Sequence, residues 1–159
     1  MVKLIKTPLA DRPHNIRTVP MSRDDEPRAC SDPSVFFFED LPSRAVPGQY
    51  LFRSRGPRSV RSNDLLLFHF DGQVVADARL LEIYRETAEE RTDEYSGYLK
   101  IDCGTARVFL PRISHDEFRA IWPDKRMSQT WNFLSTDGVL AWEALAKARS
   151  APRWGVGPR

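Results

Sequence analysis

The sequence predicts an α+β domain: a small β-barrel of five to six mixed or antiparallel strands with flanking helices, one of them C-terminal. Three observations carry this. The stretch from Asn63 to Tyr84, NDLLLFHFDGQVVADARLLEIY, sets two apolar runs around Asp71-Gly72. A tight type I′ turn needs positive φ at positions that Asp and Gly tolerate, so this reads as a hairpin. A second strand pair follows between Gly97 and Leu110, and helical patterns begin near Ser114 and Ser135.

Taken in order, residues 1 to about 33 carry Pro8, Pro13, Pro20, Pro27 and Pro33 with a charged run at 23–26, and show no sustained period of 2 or 3.6. They read as an extended or disordered arm. The barrel domain spans 34–150. Val35-Phe36-Phe37-Phe38 is a first strand ended by Pro42, Pro47-Gly48 a turn, and Gln49 to Arg53 a second strand. The polar segment Ser54 to Asn63, with Gly56-Pro57 at its centre, is a basic loop. In the central hairpin, the nearly all-apolar Leu65 to Phe70 suits a strand covered on both faces. Its return arm sets Ala76, Ala78 and Leu80 on one face and Asp77, Arg79 and Leu81 on the other.

The run Arg85 to Glu94 is highly charged and takes no assigned role. The second hairpin pairs Gly97 to Ile101 with Ala106 to Leu110 through a turn at Asp102-Cys103-Gly104-Thr105, and Pro111 stops it. Ser114-His115-Asp116-Glu117 fits a capping box opening a helix that Pro123 closes. His115 and Asp116 are adjacent on that helix and do not face each other as a catalytic pair would. In the last helix Val139, Leu140, Trp142, Leu145 and Ala146 form an apolar face, with Trp122 and Trp142 in the core. Residues 151–159 are a flexible basic tail.

Composition excludes several classes. No run of about 18 apolar residues exists to span a bilayer, and Lys3, Lys6, Pro8 and Asp11 interrupt any secretory core at the N-terminus. Cys30 and Cys103 are the only cysteines, and a reduced, cytoplasmic state is expected. No zinc-ligand spacing is present, so neither a metal nor another cofactor is expected. Net charge is only +2, but arginine supplies 19 of the 24 basic residues. Arg53, Arg55, Arg58 and Arg61 form a candidate anion-facing rim, since guanidinium forks suit phosphate.

A strand ending in Phe52-Arg53-Ser54 leads to the basic loop; Asn63-Asp64 opens an apolar strand, a Gly-containing turn and the return strand Val74-Val75-Ala76-Asp77-Ala78; a polar-aromatic segment and a C-terminal helix complete the order. Over residues 34–148 this order resembles the PUA-like superfamily, whose branches include the PUA, ASCH, EVE, YTH and SRA domains. Those domains often have Gly-Asp where this chain has Asn63-Asp64. The resemblance implies nucleic-acid binding, in several branches by taking a flipped or unpaired, often modified, base of DNA or RNA into a pocket on the barrel. Such a pocket needs aromatic faces, amides for the base edge and cations for phosphates. Candidates are Phe52, Tyr98, Trp131 and Phe133 for stacking, and Ser128, Gln129 and Asn132 for the base edge. The phosphate-binding candidates are Arg53, Arg55, Arg58 and Arg61.

Two other readings stay open. One is an enzyme acting on nucleic acid or a nucleotide, with His69 and Asp71 or Asp77 as its acid-base groups; no nucleophile-base-orienter set is visible, and no catalytic residue is assigned. The other is a protein-interaction module using the N-terminal arm and an exposed sheet edge.

Overall fold

The structure, a computed structural model, describes residues 13, 15–22, 27–52, 60–85, 97–127 and 131–153. Strands β1 (Ile16–Pro20), β2 (Gln49–Phe52), β3 (Leu65–Phe70), β4 (Gln73–Arg85), β5 (Gly97–Ile113) and β6 (Phe133–Leu134) form one six-stranded sheet in the order β2-β5-β4-β3-β1-β6. Four helices accompany them: α1 (Pro27–Ser31), α2 (Pro33–Val35), α3 (His115–Ile121) and the C-terminal α4 (Val139–Arg149). The sheet is mixed, because β1 runs parallel to β3 while the other neighbours are antiparallel. Among the described residues it is not closed into a barrel: β2 and β6 are its two edges. None of the described helices is long and apolar enough to cross a membrane.

The central hairpin forms as its sequence demands. Asp71 has φ 55° and Gly72 φ 75°, the positive pair a type I′ turn requires. Side chains of β3 alternate between two cores. Leu66 and Phe68 join an inner core with Ala76, Ala78, Leu80, Leu99 and Ile101. Leu65 and Leu67 join an outer core with Phe109, Ile113, Phe118, Trp122 and Trp142. Burying each large apolar side chain contributes about 1.5–3 kcal/mol, so a strand filling both cores anchors the domain.

Four expectations are corrected. Val35 to Phe38 is not a strand. Asp32 caps the N-terminus of α2 by accepting from the Val35 N–H (3.4 Å), Pro33 occupies its first position, and a π-helical turn over Phe36–Asp40 continues it. Phe36 and Phe37 are both buried in the inner core. Consecutive residues of a strand would face opposite ways, whereas a helical turn sets both against Tyr50 and Phe68.

Residues 16–20 are not part of an arm. They are an interior strand whose Ile16 and Val19 are fully buried, a segment too short to show its period beside the prolines. Asp102 to Thr105 is not a hairpin turn either. Asp102 Oδ1 accepts from the Gly104 N–H and the Thr105 hydroxyl donates to the Asp102 carbonyl, but these local bonds shape a bulge inside β5. Both halves of β5 pair with the long β4, Arg79 opposite Asp102 and Asp77 opposite Arg107. Pro111 lies in a second irregularity, between the pairs Ala76–Val108 and Val74–Ile113, where the ladder needs no N–H from it.

Last, Leu140 is 73% exposed rather than part of the buried face of α4, which Trp142 and Ala146 supply. The chain after α4 returns onto β5. The Ala151 N–H donates to the Val108 carbonyl (2.8 Å), and the Arg153 guanidinium lies 4.4 Å over the Phe38 ring. The capping box on α3 forms as expected, with Ser114 and Glu117 satisfying each other's backbone N–H groups.

Candidate nucleic-acid interface

At one end of the sheet its two edges approach each other across the inner face. Phe52 closes β2 and Trp131 lies two residues before β6, so they belong to opposite edges, yet their rings meet edge to face with centroids 6.4 Å apart. The open sheet is therefore curled until its edges approach at this end, which we call the mouth. Arg85, the last residue of β4, lies 5.9 Å over the Phe52 ring. Its ladder partner is Gly97. A Cβ there would stand 2.7 Å from the Phe52 ring and collide with the Tyr84 carbonyl, so only glycine lets Phe52 lie across the strand.

β1 delivers a further cation. Arg17 stands opposite Leu66 in β3 and Phe133 in β6, on the inner side, with 3% of its surface exposed. Its guanidinium lies 3.8 Å beneath the Phe133 ring and donates to the Trp131 carbonyl (3.3 Å). Burial pushes the Arg17 pKa down, and the nearby Asp64 carboxylate partly restores it. Phe133 is thus backed by a cation on one face while 43% of its surface is open to solvent. Asn132 is fixed between them: its N–H donates to the Thr18 hydroxyl (2.9 Å), its carbonyl accepts from the Thr18 N–H (3.0 Å), and its side-chain amide donates to the Arg126 carbonyl (3.1 Å).

Of the predicted site residues, Phe52, Trp131 and Asn132 come together at this mouth, with Phe133. Tyr98 does not. It stands opposite Tyr84 and Leu51 on the outer face, because strand alternation separates it from its inward neighbours Gly97 and Leu99. Arg61 is exposed while its N–H is held by the fully buried Asp64 (2.9 Å). Arg53, Arg55, Arg58, Ser128 and Gln129 lie outside the described residues. Sequence reasoning missed Arg17, hidden in the supposed arm, and Arg85, absorbed into a charged run. Ile16-Arg17-Thr18-Val19 runs apolar-polar-polar-apolar, which gives no period-2 signal for Arg17.

The outer face carries a separate polar network. Arg107 forks onto the fully buried Asp77 (2.8 and 2.6 Å) and onto Glu143 of α4 (2.8 and 2.9 Å), and the Trp142 indole N–H donates to Asp77 (2.9 Å). Burial pushes the Asp77 carboxyl up; the Arg107 fork and the Trp142 indole pull it back. Arg107 resists deprotonation because both carboxylates hold its charge. A cleft of about 350 Å³ lies beside this network, lined by Asn63, Leu65, Arg79, Thr105, Arg107 and Glu143. Its lining sets Arg79 and Arg107 against Glu143, the buried Asp77 behind it takes up the remaining positive charge, and Arg79 is tied to the Asn63 side chain (2.9 Å), so the cleft and its network lack the excess positive charge that phosphate capture needs.

His69, Asp71 and Asp77 do not assemble a catalytic set. Asp71 is exposed at the turn and Asp77 is committed to Arg107 and Trp142. His69 is 4% exposed, and burial, reinforced by His115, lowers its pKa to about 4. The imidazole is therefore neutral and enclosed near pH 7. Because the unfolded chain binds this proton more readily, stability is full above about pH 6.5 and falls as pH drops toward about 4. The expected loss is on the order of 3 kcal/mol. Urea unfolding of wild type and His69→Phe across that range checks it: the difference between their pH profiles should show this step, and parallel profiles would contradict it. Among the described residues no cluster of three His, Cys, Asp or Glu side chains could hold a metal, and Cys30 and Cys103 are not bonded to each other.

No protein-family model matches this sequence, and no curated protein matches it. Solved structures do. An ASCH domain from Zymomonas mobilis superposes with a TM-score of 0.54 at 10% identity, covering 82% of this chain and 94% of that one. A serine-to-alanine variant of the Zymomonas domain gives 0.54 at 11% identity, covering 85% and 97%. A tyrosine-to-phenylalanine variant gives 0.52 at 13% identity, covering 82% and 97%. The chain shares the fold of these ASCH-domain structures. Identity this low establishes architecture, and function has to be argued from the site.

Proposed function

We propose that this domain binds nucleic acid, taking an unpaired or flipped base of RNA or DNA, modified or not, at the mouth between β2 and β6. The observation that carries the reading is the exposed Phe133 ring backed by the buried Arg17 guanidinium and flanked by half-buried Trp131. A cation behind an aromatic ring strengthens the platform without meeting the ligand, and base-aromatic stacking contributes about 1–3 kcal/mol per base. Arg85 supplies a phosphate-facing cation at the same opening. Stacking at such a mouth requires a base free of its partner, so single strands bind better than duplexes. Fluorescence anisotropy with single-stranded RNA, single-stranded DNA and duplexes, with and without a modified base, tests this between about 50 and 200 mM salt. Single strands should bind at low salt and weaken as salt rises. No binding to any of them at low salt would overturn the proposal.

A further inference from the structure

The helix that seals the outer core keeps an apolar surface on its solvent side. Trp142 and Ala146 of α4 are buried, and at 3.6 residues per turn the face opposite them is Leu140, Ala144, Lys147 and Ala148, all exposed. A surface helix ordinarily sets charged and polar residues there, whereas Lys147 is the one charged residue of these four. Beside this face, between the end of α3 and the start of α4, lies a cleft of about 330 Å³. Ile121, Pro123 and Ala141 give it an apolar lining, and its charged residues are Asp124 and Asp137 against Lys125. Leu140, next to Ala141 in the chain, stands 73% exposed at its side.

We propose that this face pairs with a second copy of the chain. The two α4 helices run antiparallel about a two-fold axis, and the Leu140 side chain of each protomer seats in the α3–α4 cleft of the other. A protruding residue beside a cleft on one surface is self-complementary under a two-fold rotation, as an isologous interface requires. Ala144, facing the same way as Leu140, lets the two backbones approach closely.

The charges agree with this direction of pairing. Lys147 lies about 10 Å along the helix axis beyond Leu140, and Asp137 about 5 Å before it. With the helices antiparallel about Leu140, Lys147 of one protomer reaches past its partner's Leu140 toward the partner's Asp137, over a gap of about 5 Å that a lysine side chain spans. Glu143, one turn before Lys147, is already forked by Arg107, so the exposed charge at this end of α4 is positive and meets the acidic side of the cleft. α4 covers the outer core, across the sheet from the mouth, so pairing leaves both mouths uncovered and does not depend on what they bind. One helix face and one cleft per protomer make a small interface, which sets association in the range of about 1–100 μM.

Sedimentation velocity of the full chain at concentrations up to about 300 μM tests this. Wild type should pass from monomer to dimer across that series. Leu140→Asp, at an exposed position, should keep the wild-type circular dichroism and melting temperature and weaken dimerisation by about thirtyfold or more, since each dimer loses two buried leucines. Asp137→Lys and Lys147→Glu should each weaken it about three- to tenfold, and the swap Asp137→Lys/Lys147→Glu should restore it. A wild type that stays monomeric throughout, or a dimer that Leu140→Asp leaves unchanged, overturns the proposal. So does a double swap no better than its single variants, because the antiparallel register requires the two charges to meet.

Discussion

Replacing Asp77 with alanine destabilises the domain by about 1–3 kcal/mol, because it leaves the Trp142 N–H without its buried acceptor and removes one of the two carboxylates that hold Arg107. The network bridges β4, β5 and α4, so its loss loosens the helix that seals the outer core. Asp77→Asn keeps an acceptor for the indole and removes the charge, and Arg107→Met removes the opposing cation while preserving the stem. The double variant Asp77→Asn/Arg107→Met should therefore be more stable than the sum of its single losses, with a coupling of about 1–3 kcal/mol. Denaturant unfolding of the four proteins checks this. Additive losses, or an Asp77→Ala loss under about 1 kcal/mol, would show that α4 is held by apolar packing alone.

Truncating the stacking platform has the largest expected effect on binding. Trp131→Ala and Phe133→Ala should each weaken single-stranded RNA by about five- to a hundredfold, with no change in salt dependence, since neither ring meets phosphate. Arg85→Gln should behave differently: affinity falls for all sequences alike and the salt slope shrinks by about one. Measuring affinity against salt for these three variants separates stacking from charge. A Trp131→Ala protein that folds and binds like wild type removes the mouth from the interface.

The parts legible in the sequence were those with strong local chemistry. Asp71-Gly72, the Ser114-Glu117 box and the apolar run Leu65 to Phe70 each dictate their own backbone. Asn63 takes a φ of 73°, a left-handed conformation that Asn tolerates better than most residues. What misled were signals that depend on distant partners. Three phenylalanines at 36–38 look like a strand until the Asp32 cap winds them into a helical turn. The Asp102 to Thr105 turn chemistry is present, but a β4 of 13 residues holds both flanks of β5 in one ladder. β1 was hidden because its parallel pairing with β3 joins residues 49 positions apart. That omission removed Arg17 and hence the cation behind Phe133. The candidate site was legible in its aromatics, whereas the segregation of Tyr98 from Phe52 followed only from the register.

Photocrosslinking tests the mouth most directly. A single-stranded RNA carrying 4-thiouridine at one position is irradiated with the protein, and the modified peptides are read by mass spectrometry. The crosslinks should fall on the peptides containing Phe52 and Trp131 to Phe133, and disappear when Trp131 and Phe133 are both alanine. Crosslinks confined to α3, α4 or the Arg107 cleft would place the nucleic acid on the other side of the sheet and contradict the account.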